Sequence, residues 1–254
     1  MNDTDLLYAR LSDKRAECLR TYAAAFTSFL DLPSCALAAS FAKREHADMV
    51  LYGGYPDAER KLCVFLPDYA ATVEDCFAPD DLPLCVFRAT AKDPDKTLSH
   101  RDYLGSLMAL GIKRETVGDI LVYERGADLI VLASVSDYLI QEYKTVGRTP
   151  IDAKLVPISE LRIPDVRTEE IRDTVASPRL DNMISAAFRL SRSAAGEAIS
   201  AGIVFVNDEP ITKPDASVTE GSKLVLRGKG KVTVKSFAGE SRSGRLVVLF
   251  TKYL

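Results

Sequence analysis

The sequence predicts an α+β protein of three parts, with one charged connection before the last. Three observations carry this. Strand and helix periodicities interleave through the middle third in the order β-α-β-β-α-β, the ferredoxin-like arrangement. The first and last thirds each open on helical patterns and close on strand patterns. Between the middle and the end lies a charged stretch punctuated by Pro157 and Pro164, residues that interrupt regular structure. The expected division is an N-terminal α/β domain over residues 1–81, a ferredoxin-like domain over 82–157, a linker over 158–176 and a small α+β domain over 177–254.

In the first part, Leu6 to Leu19 reads as an amphipathic helix and Tyr22 to Leu30 as a further apolar stretch. Pro33 and Ser34 open another helix that ends near His46. Met49–Tyr52 and Leu62–Leu66 are strand-like and flank Gly53-Gly54, a turn signal.

The middle part begins with a strand at Leu84–Ala89. Ser99 caps a helix running to Leu110, with Asp102 in the first turn and Gly111 as the stop. Strands at Asp119–Tyr123 and Leu129–Leu132 follow, then a helix capped by Ser134 or Ser136 and ending near Tyr143, then a strand at Ile151–Val156. RNA recognition motifs share this order, and so do many unrelated functions. Here the third strand, Leu129-Ile130-Val131-Leu132, is aliphatic where such motifs stack bases on aromatic rings, so this sheet is expected to pack or dock.

In the last part, Ser177-Pro178 has the form of a helix start, a side-chain cap followed by proline at the first helical position. Leu180, Met183, Ile184, Ala187 and Phe188 then share one helical face. Ser191-Arg192-Ser193 recaps the chain for a short helix from Ala194 to Ala201, closed by Gly202. Strands at Val204–Val206 and Leu224–Leu226 lead to Arg227-Gly228-Lys229-Gly230-Lys231, a basic loop expected to be flexible, whose glycines let backbone approach phosphates closely. Beyond it, Lys231, Thr233 and Lys235 alternate with Val232 and Val234.

Composition narrows the functional classes. Hydrophobic residues make up 47% and charged residues 27%, ordinary for a folded chain, and no apolar run reaches the ~18 residues a bilayer span requires. The N-terminal Met1-Asn2-Asp3-Thr4-Asp5 is acidic where a secretory signal is basic, which gives a cytoplasmic expectation. Five scattered cysteines, no C-x-x-C pair and two histidines make no zinc pattern, and the cysteines read as buried thiols in a reducing compartment. The overall charge of -3 is uneven. From Ser177 onward there are 12 Lys and Arg against 7 Asp and Glu, whereas the preceding 176 residues hold 21 against 29. A basic end on an acidic body points to a polyanion for that end alone.

Two features of the last part are expected to converge into one phosphate-binding surface: the serine-capped helix start beside Arg192, with its positive dipole end, and the cationic loop from Arg227 to Lys231. The pieces Ser177-Pro178-Arg179-Leu180-Asp181, Ser191-Arg192-Ser193-Ala194, Gly202–Asn207, Lys213-Pro214 and Arg227–Gly230 closely resemble the S-four RNA-binding domain, over about Ser177 to Phe237. Ser222 departs from it, standing where the family often has Asp after the turn glycine. Phe29-Leu30-Asp31, Tyr52–Lys61 and His100–Glu115 resemble the YlmH family over nearly the full chain. That resemblance implies a bacterial protein associated with the large ribosomal subunit, with a role in rescuing stalled nascent chains near peptidyl-tRNA. No cofactor, membrane or small-molecule substrate is expected.

The candidate RNA contacts are therefore Arg179, Arg189, Ser191, Arg192, Ser193, Lys213, Arg227, Lys229 and Lys231, with Lys113 and Arg114 as a second contact. Asp181 is expected to be structural, in the first turn of a helix. Arg179-Leu180-Asp181 also resembles the catalytic motif of pseudouridine synthases, but Ile184 stands where they carry threonine and no catalytic domain accompanies it. His100-Arg101-Asp102 likewise resembles a kinase catalytic loop, which needs Asn where Leu107 stands. The competing functions are an RNA-modifying enzyme and a protein-interaction scaffold in cell division. The first requires a catalytic set that residues 1–157 do not offer, and the second rests only on the gene neighbourhood that gave the family its name.

Overall fold

A computed structural model describes residues 3–78, 81–164 and 168–253. The chain forms two compact units, residues 1–164 and 165–254. Among the described residues no helix is long and apolar enough to cross a membrane.

The first unit opens with α1 (Asp3–Thr21), β1 (Ala25–Phe26), α2 (Leu32–Glu45), β2 (Met49–Tyr52) and β3 (Leu62–Phe65). The cap of α2 is Asp31, whose carboxylate accepts the Ser34 N–H, with Pro33 within the first turn. The strands form an antiparallel sheet in the order β1-β3-β2. Its faces follow the alternation of β3. Cys63 and Phe65 pack with Leu11, Ala38 and Phe41 of the two helices, whereas Leu62 and Val64 face the other way.

Next come β4 (Leu84–Ala91), α3 (His100–Ala109), β5 (Val117–Tyr123), β6 (Gly126–Leu132), α4 (Ser136–Glu142), β7 (Thr145–Val146) and β8 (Thr149–Val156). The expected β-α-β-β-α-β order is present, with β7 as a short addition that pairs with β8. Sheet order β5-β6-β4-β8-β7, antiparallel throughout, is the ferredoxin-like topology. Ser99 and Asp102 form a full capping box on α3. Helix α4 has no side-chain cap; the Ser136 hydroxyl donates back to the Ala133 carbonyl instead.

One face of this sheet holds Phe87, Ala89, Leu129 and Val131 against Tyr103 and Leu107 of α3 and Leu139 of α4. Its other face is covered over β4 and β6. Leu84, Ile130 and Leu132 share a core with Phe29, Leu62, Val64 and Val73, so the parts expected on either side of residue 81 pack as helices, sheet, sheet, helices. In that layer Arg88 and Asp128 stand directly opposite each other on β4 and β6 and make a bidentate ion pair at 2.8 Å and 2.8 Å. Asp128 also accepts the Arg162 N–H at 2.8 Å and the Tyr123 hydroxyl at 3.1 Å, which satisfies the buried carboxylate.

The second unit comprises β9 (Thr168–Val175), α5 (Leu180–Phe188), α6 (Arg192–Ser200), β10 (Val204–Val206), β11 (Glu209–Pro210), β12 (Lys223–Leu226), β13 (Gly230–Glu240) and β14 (Leu246–Tyr253). They build one antiparallel sheet, β11-β10-β12-β13-β14-β9, with α5 and α6 packed on one face around Met183, Ile184, Ile199, Leu224, Val232 and Phe250.

Two expectations are corrected here. Residues 158–176 are not a plain linker: Ile158–Glu160 is a short helical turn, and Thr168–Val175 is the edge strand β9, paired along its length with β14. Its charges fit an edge whose side chains are mostly exposed. Nor does a helix start at Ser177-Pro178. Helix α5 begins at Leu180, because the Leu180 and Asp181 N–H groups donate to the Ala216 and Pro214 carbonyls, and Val218 N–H donates to Pro178 O. The Ser177 hydroxyl accepts from the Asn182 side chain at 3.0 Å instead of capping.

Candidate nucleic-acid interface

The candidate cations of the second unit fall into two groups set by α6. At its start, Ser191 is the cap predicted, accepting the Ala194 N–H at 3.1 Å, and it leaves other first-turn N–H groups at the positive end of the helix. Arg192 occupies the first helical position. Its Nε and Nη2 both donate to Asp181 Oδ2 at 3.1 Å, while Arg179 donates through Nε and Nη2 to the two oxygens of the same carboxylate at 3.1 Å. The Asp181 side chain is 7% exposed, the arginine side chains 42% and 62%. One buried anion thus holds two solvent-facing guanidinium groups. Burial alone raises the Asp181 carboxyl pKa, but the hydrogen bonds from Arg179, Arg192 and the Asn182 N–H outweigh it and hold the group below its ordinary value.

The other candidates near this end are less tied. Lys213 is exposed in the segment whose Pro214 and Ala216 carbonyls close the start of α5. Arg189 is exposed and caps α5 in the left-handed conformation, at φ 53°. Ser193 is exposed, and its hydroxyl donates to Glu197 one turn along.

The second group sits at the far end of α6. Arg227 N–H donates to the Ile203 carbonyl just past the helix, and Leu226 pairs with Val204. Nine residues at 1.5 Å each put about 13 Å of helix between the two groups. They stand at opposite ends of α6, so a surface joining them has to span the length of the helix. Arg227–Lys229 is also a tight three-residue connection between Leu226 and its partner Gly230, with Gly228 and Gly230 at positive φ, instead of a loose loop. Arg227 and Lys229 are exposed there. Lys231 is half-buried, its ammonium 5.1 Å from the centre of the Tyr253 ring.

The second candidate contact divides. Lys113 is exposed, but the Arg114 guanidinium turns inward and donates to the Val117 and Gly118 carbonyls. Burial, then the nearby Arg60, lowers its pKa to about 10. In the ferredoxin-like sheet β4 and β6 are packed on both sides, in keeping with the aliphatic third strand, while Asp152 and Lys154 of β8 stay exposed.

Sequence reasoning missed the group around Asp119. Its carboxylate accepts the Tyr55 hydroxyl at 2.8 Å and the Glu59 and Arg60 N–H groups at 2.7 Å and 3.1 Å, while the Arg60 guanidinium reaches the Val117 and Phe29 carbonyls. The Gly53-Gly54 segment is therefore a packed staple between the two sheets of the first unit. A Cβ on Gly53 would lie 2.3 Å from that of Ala58, and one on Gly54 2.7 Å from Ile158. The legible sign was the dense Tyr-Gly-Gly-Tyr-Pro stretch, which the sequence marks only as a turn and as part of the family resemblance. All five cysteines are free; Cys18, Cys35 and Cys63 are buried, but Cys76 and Cys85 only half so.

Residues 80–160 match the family model described as "Putative RNA-binding domain in YlmH", and residues 178–224 match the S4 domain. The chain is 30% identical over 231 residues to ribosome-associated protein quality control protein P2 of Bacillus subtilis (strain 168), covering 91% of this chain and 88% of that protein. Its fold resembles that of the solved cell division protein ylmH from Streptococcus pneumoniae, with a TM-score of 0.53 and 18% identity over 65% of this chain and 96% of the other.

Proposed function

Because the chain belongs to the YlmH family, we propose that it binds structured RNA without catalysing a reaction on it, in ribosome-associated quality control. The expected target is ribosomal RNA of the large subunit, with tRNA nearby. The observation that carries this reading is the pair of exposed guanidinium groups on Asp181 at the start of α6, inside the S-four region.

Guanidinium forks, first-turn N–H groups and lysines in a glycine turn all seek phosphate, so recognition would run through backbone and shape. The contacts proposed at the first end are Arg179, Arg189, Ser191, Arg192, Ser193 and Lys213. Arg227, Lys229 and Lys231 serve the second end, and Lys113 is an outlying contact of the first unit. Arg114 is left a positioning part, fixing the loop that carries Lys113. The first unit is acidic, -6 over residues 1–164, which weakens long-range attraction of RNA to it. Asp181 is buried and both its oxygens are occupied by Arg179, Arg192 and the Asn182 N–H, which speaks against a catalytic aspartate there.

Crosslinking in living bacteria tests this. RNA recovered on peptides spanning residues 179–231 is expected to be large-subunit ribosomal RNA, with tRNA as the second species. Recovery dominated by messenger RNA or small-subunit RNA contradicts the proposed target.

A further inference from the structure

Resting on that RNA-binding reading, we propose that Asp181 is a positioning residue that makes Arg179 and Arg192 one preformed fork for a single backbone phosphate. A guanidinium carries five N–H donors in a fixed plane. Each arginine spends two of its donating nitrogens on Asp181, so the remaining N–H groups of both planes stay available on the exposed side. The carboxylate has little solvent exposure of its own and is further held by the Asn182 N–H at 2.9 Å. The anchor is therefore fixed to the backbone of α5, and Arg192 reaches it from α6. The cluster keeps a net charge of +1, and the positive end of α6 adds to it.

Two effects of Asp181 on RNA affinity oppose each other. As a negative charge beside a polyanion it weakens binding. As an anchor it removes the rotamer freedom that two free arginines would lose on meeting a phosphate, which is worth roughly ten-fold in affinity or more. Partial neutralisation of the carboxylate by the two guanidinium groups blunts the first effect, and the anchoring effect dominates.

The opposing signs make the test sharp. The full-length protein is titrated with a ribosomal RNA fragment across salt concentrations, as wild type, Asp181→Asn, Arg192→Lys and Asp215→Asn. Asp215 is an exposed carboxylate near Arg179 and serves as the charge control. Asp181→Asn removes a negative charge with nearly unchanged shape, yet it is expected to bind about ten-fold more weakly with an unchanged salt slope. Asp215→Asn is expected to bind as wild type or more tightly. Arg192→Lys keeps the charge but loses the planar fork, and is expected to show a similar loss. Because the contact shared by Asp181→Asn and Arg192→Lys is the buried Asp181 side chain, folding of both variants is verified by hydrogen exchange of α5 and α6 peptides before the titration.

If wild type binds but Asp181→Asn and Arg192→Lys bind as well or better, the arginines act as plain charges and the positioning role is overturned. If wild type shows no salt-dependent RNA binding, the RNA-binding function itself fails, and this role with it.

Discussion

Replacing Asp128 with Ala tests whether the ferredoxin-like sheet is a packing surface. In the folded chain Asp128 is 0% exposed and takes four hydrogen bonds, two from Arg88, one from the Arg162 N–H and one from the Tyr123 hydroxyl. Its removal leaves the Arg88 guanidinium, 6% exposed, with the Glu160 carbonyl at 2.6 Å and the Glu160 carboxylate at 3.9 Å. Breaking a buried pair from one side costs about 3–5 kcal/mol, because an uncompensated charge stays behind. The residual Glu160 contacts favour the lower half of that range. Replacing both partners, Arg88→Met with Asp128→Leu, removes the stranded charge and should recover most of the loss, leaving about 1–3 kcal/mol for the unpaired Arg162 and Tyr123 groups. The chain has no Trp and two units, so hydrogen exchange of peptides from β4 and β6 is the appropriate assay. RNA affinity of the folded Asp128→Ala protein should match wild type. A stability change below about 1 kcal/mol, or weakened RNA binding at full folding, would refute the occluded-sheet reasoning.

Other consequences follow from the same packing. A Cβ on Gly118 would lie 2.7 Å and 2.8 Å from the buried Phe29 ring and 3.3 Å from a carbonyl, so Gly118→Ala should lower the stability of the first unit by about 1–3 kcal/mol in a denaturant titration. Gly105, exposed on α3 with nothing within 4 Å of a Cβ, should gain about 0.5–1 kcal/mol on change to Ala in the same titration. The Asp128 carboxyl is pushed up by burial but more strongly held down by Arg88, the Arg162 N–H and Tyr123, so its folded pKa is depressed. Its stabilisation is therefore complete above the unfolded value of about 3.9 and is lost as pH falls through the lower folded value. Acid denaturation midpoints measured below about pH 4 should show a shallower fall for Asp128→Asn than for wild type.

Much of the fold was legible because its signals are local. Ser99 with Asp102 fixes the start of α3, and the Glu124-Arg125 connection separates two apolar strands. The alternation of Val232 and Val234 with Lys231 and Thr233 gives the register of β13. What was hidden depends on partners distant in sequence. Strand β9 has the composition of a linker and becomes a strand only because β14 offers it a ladder nearly 80 positions later. Ser177-Pro178 imitates a helix start, but the carbonyls at residues 214 and 216 take up the first N–H groups of α5. At the candidate site the residue types were readable, and so was the Ser191 cap. The shared Asp181 anchor was not, because Arg179 and Arg192 meet only once two helices pack. The separation of the two cation groups likewise depends on where β12 ends relative to α6.

The central claim is that the second unit grips ribosomal RNA through both ends of α6. Sedimentation with bacterial ribosomal subunits across salt concentrations, comparing wild type with Arg192→Glu/Lys229→Glu, tests it most directly. Wild type should travel with the large subunit, and the double variant, altered once at each end, should bind weakly with a shallower salt dependence. Equal binding by the two proteins, or both remaining at the top of the gradient, would contradict the claim.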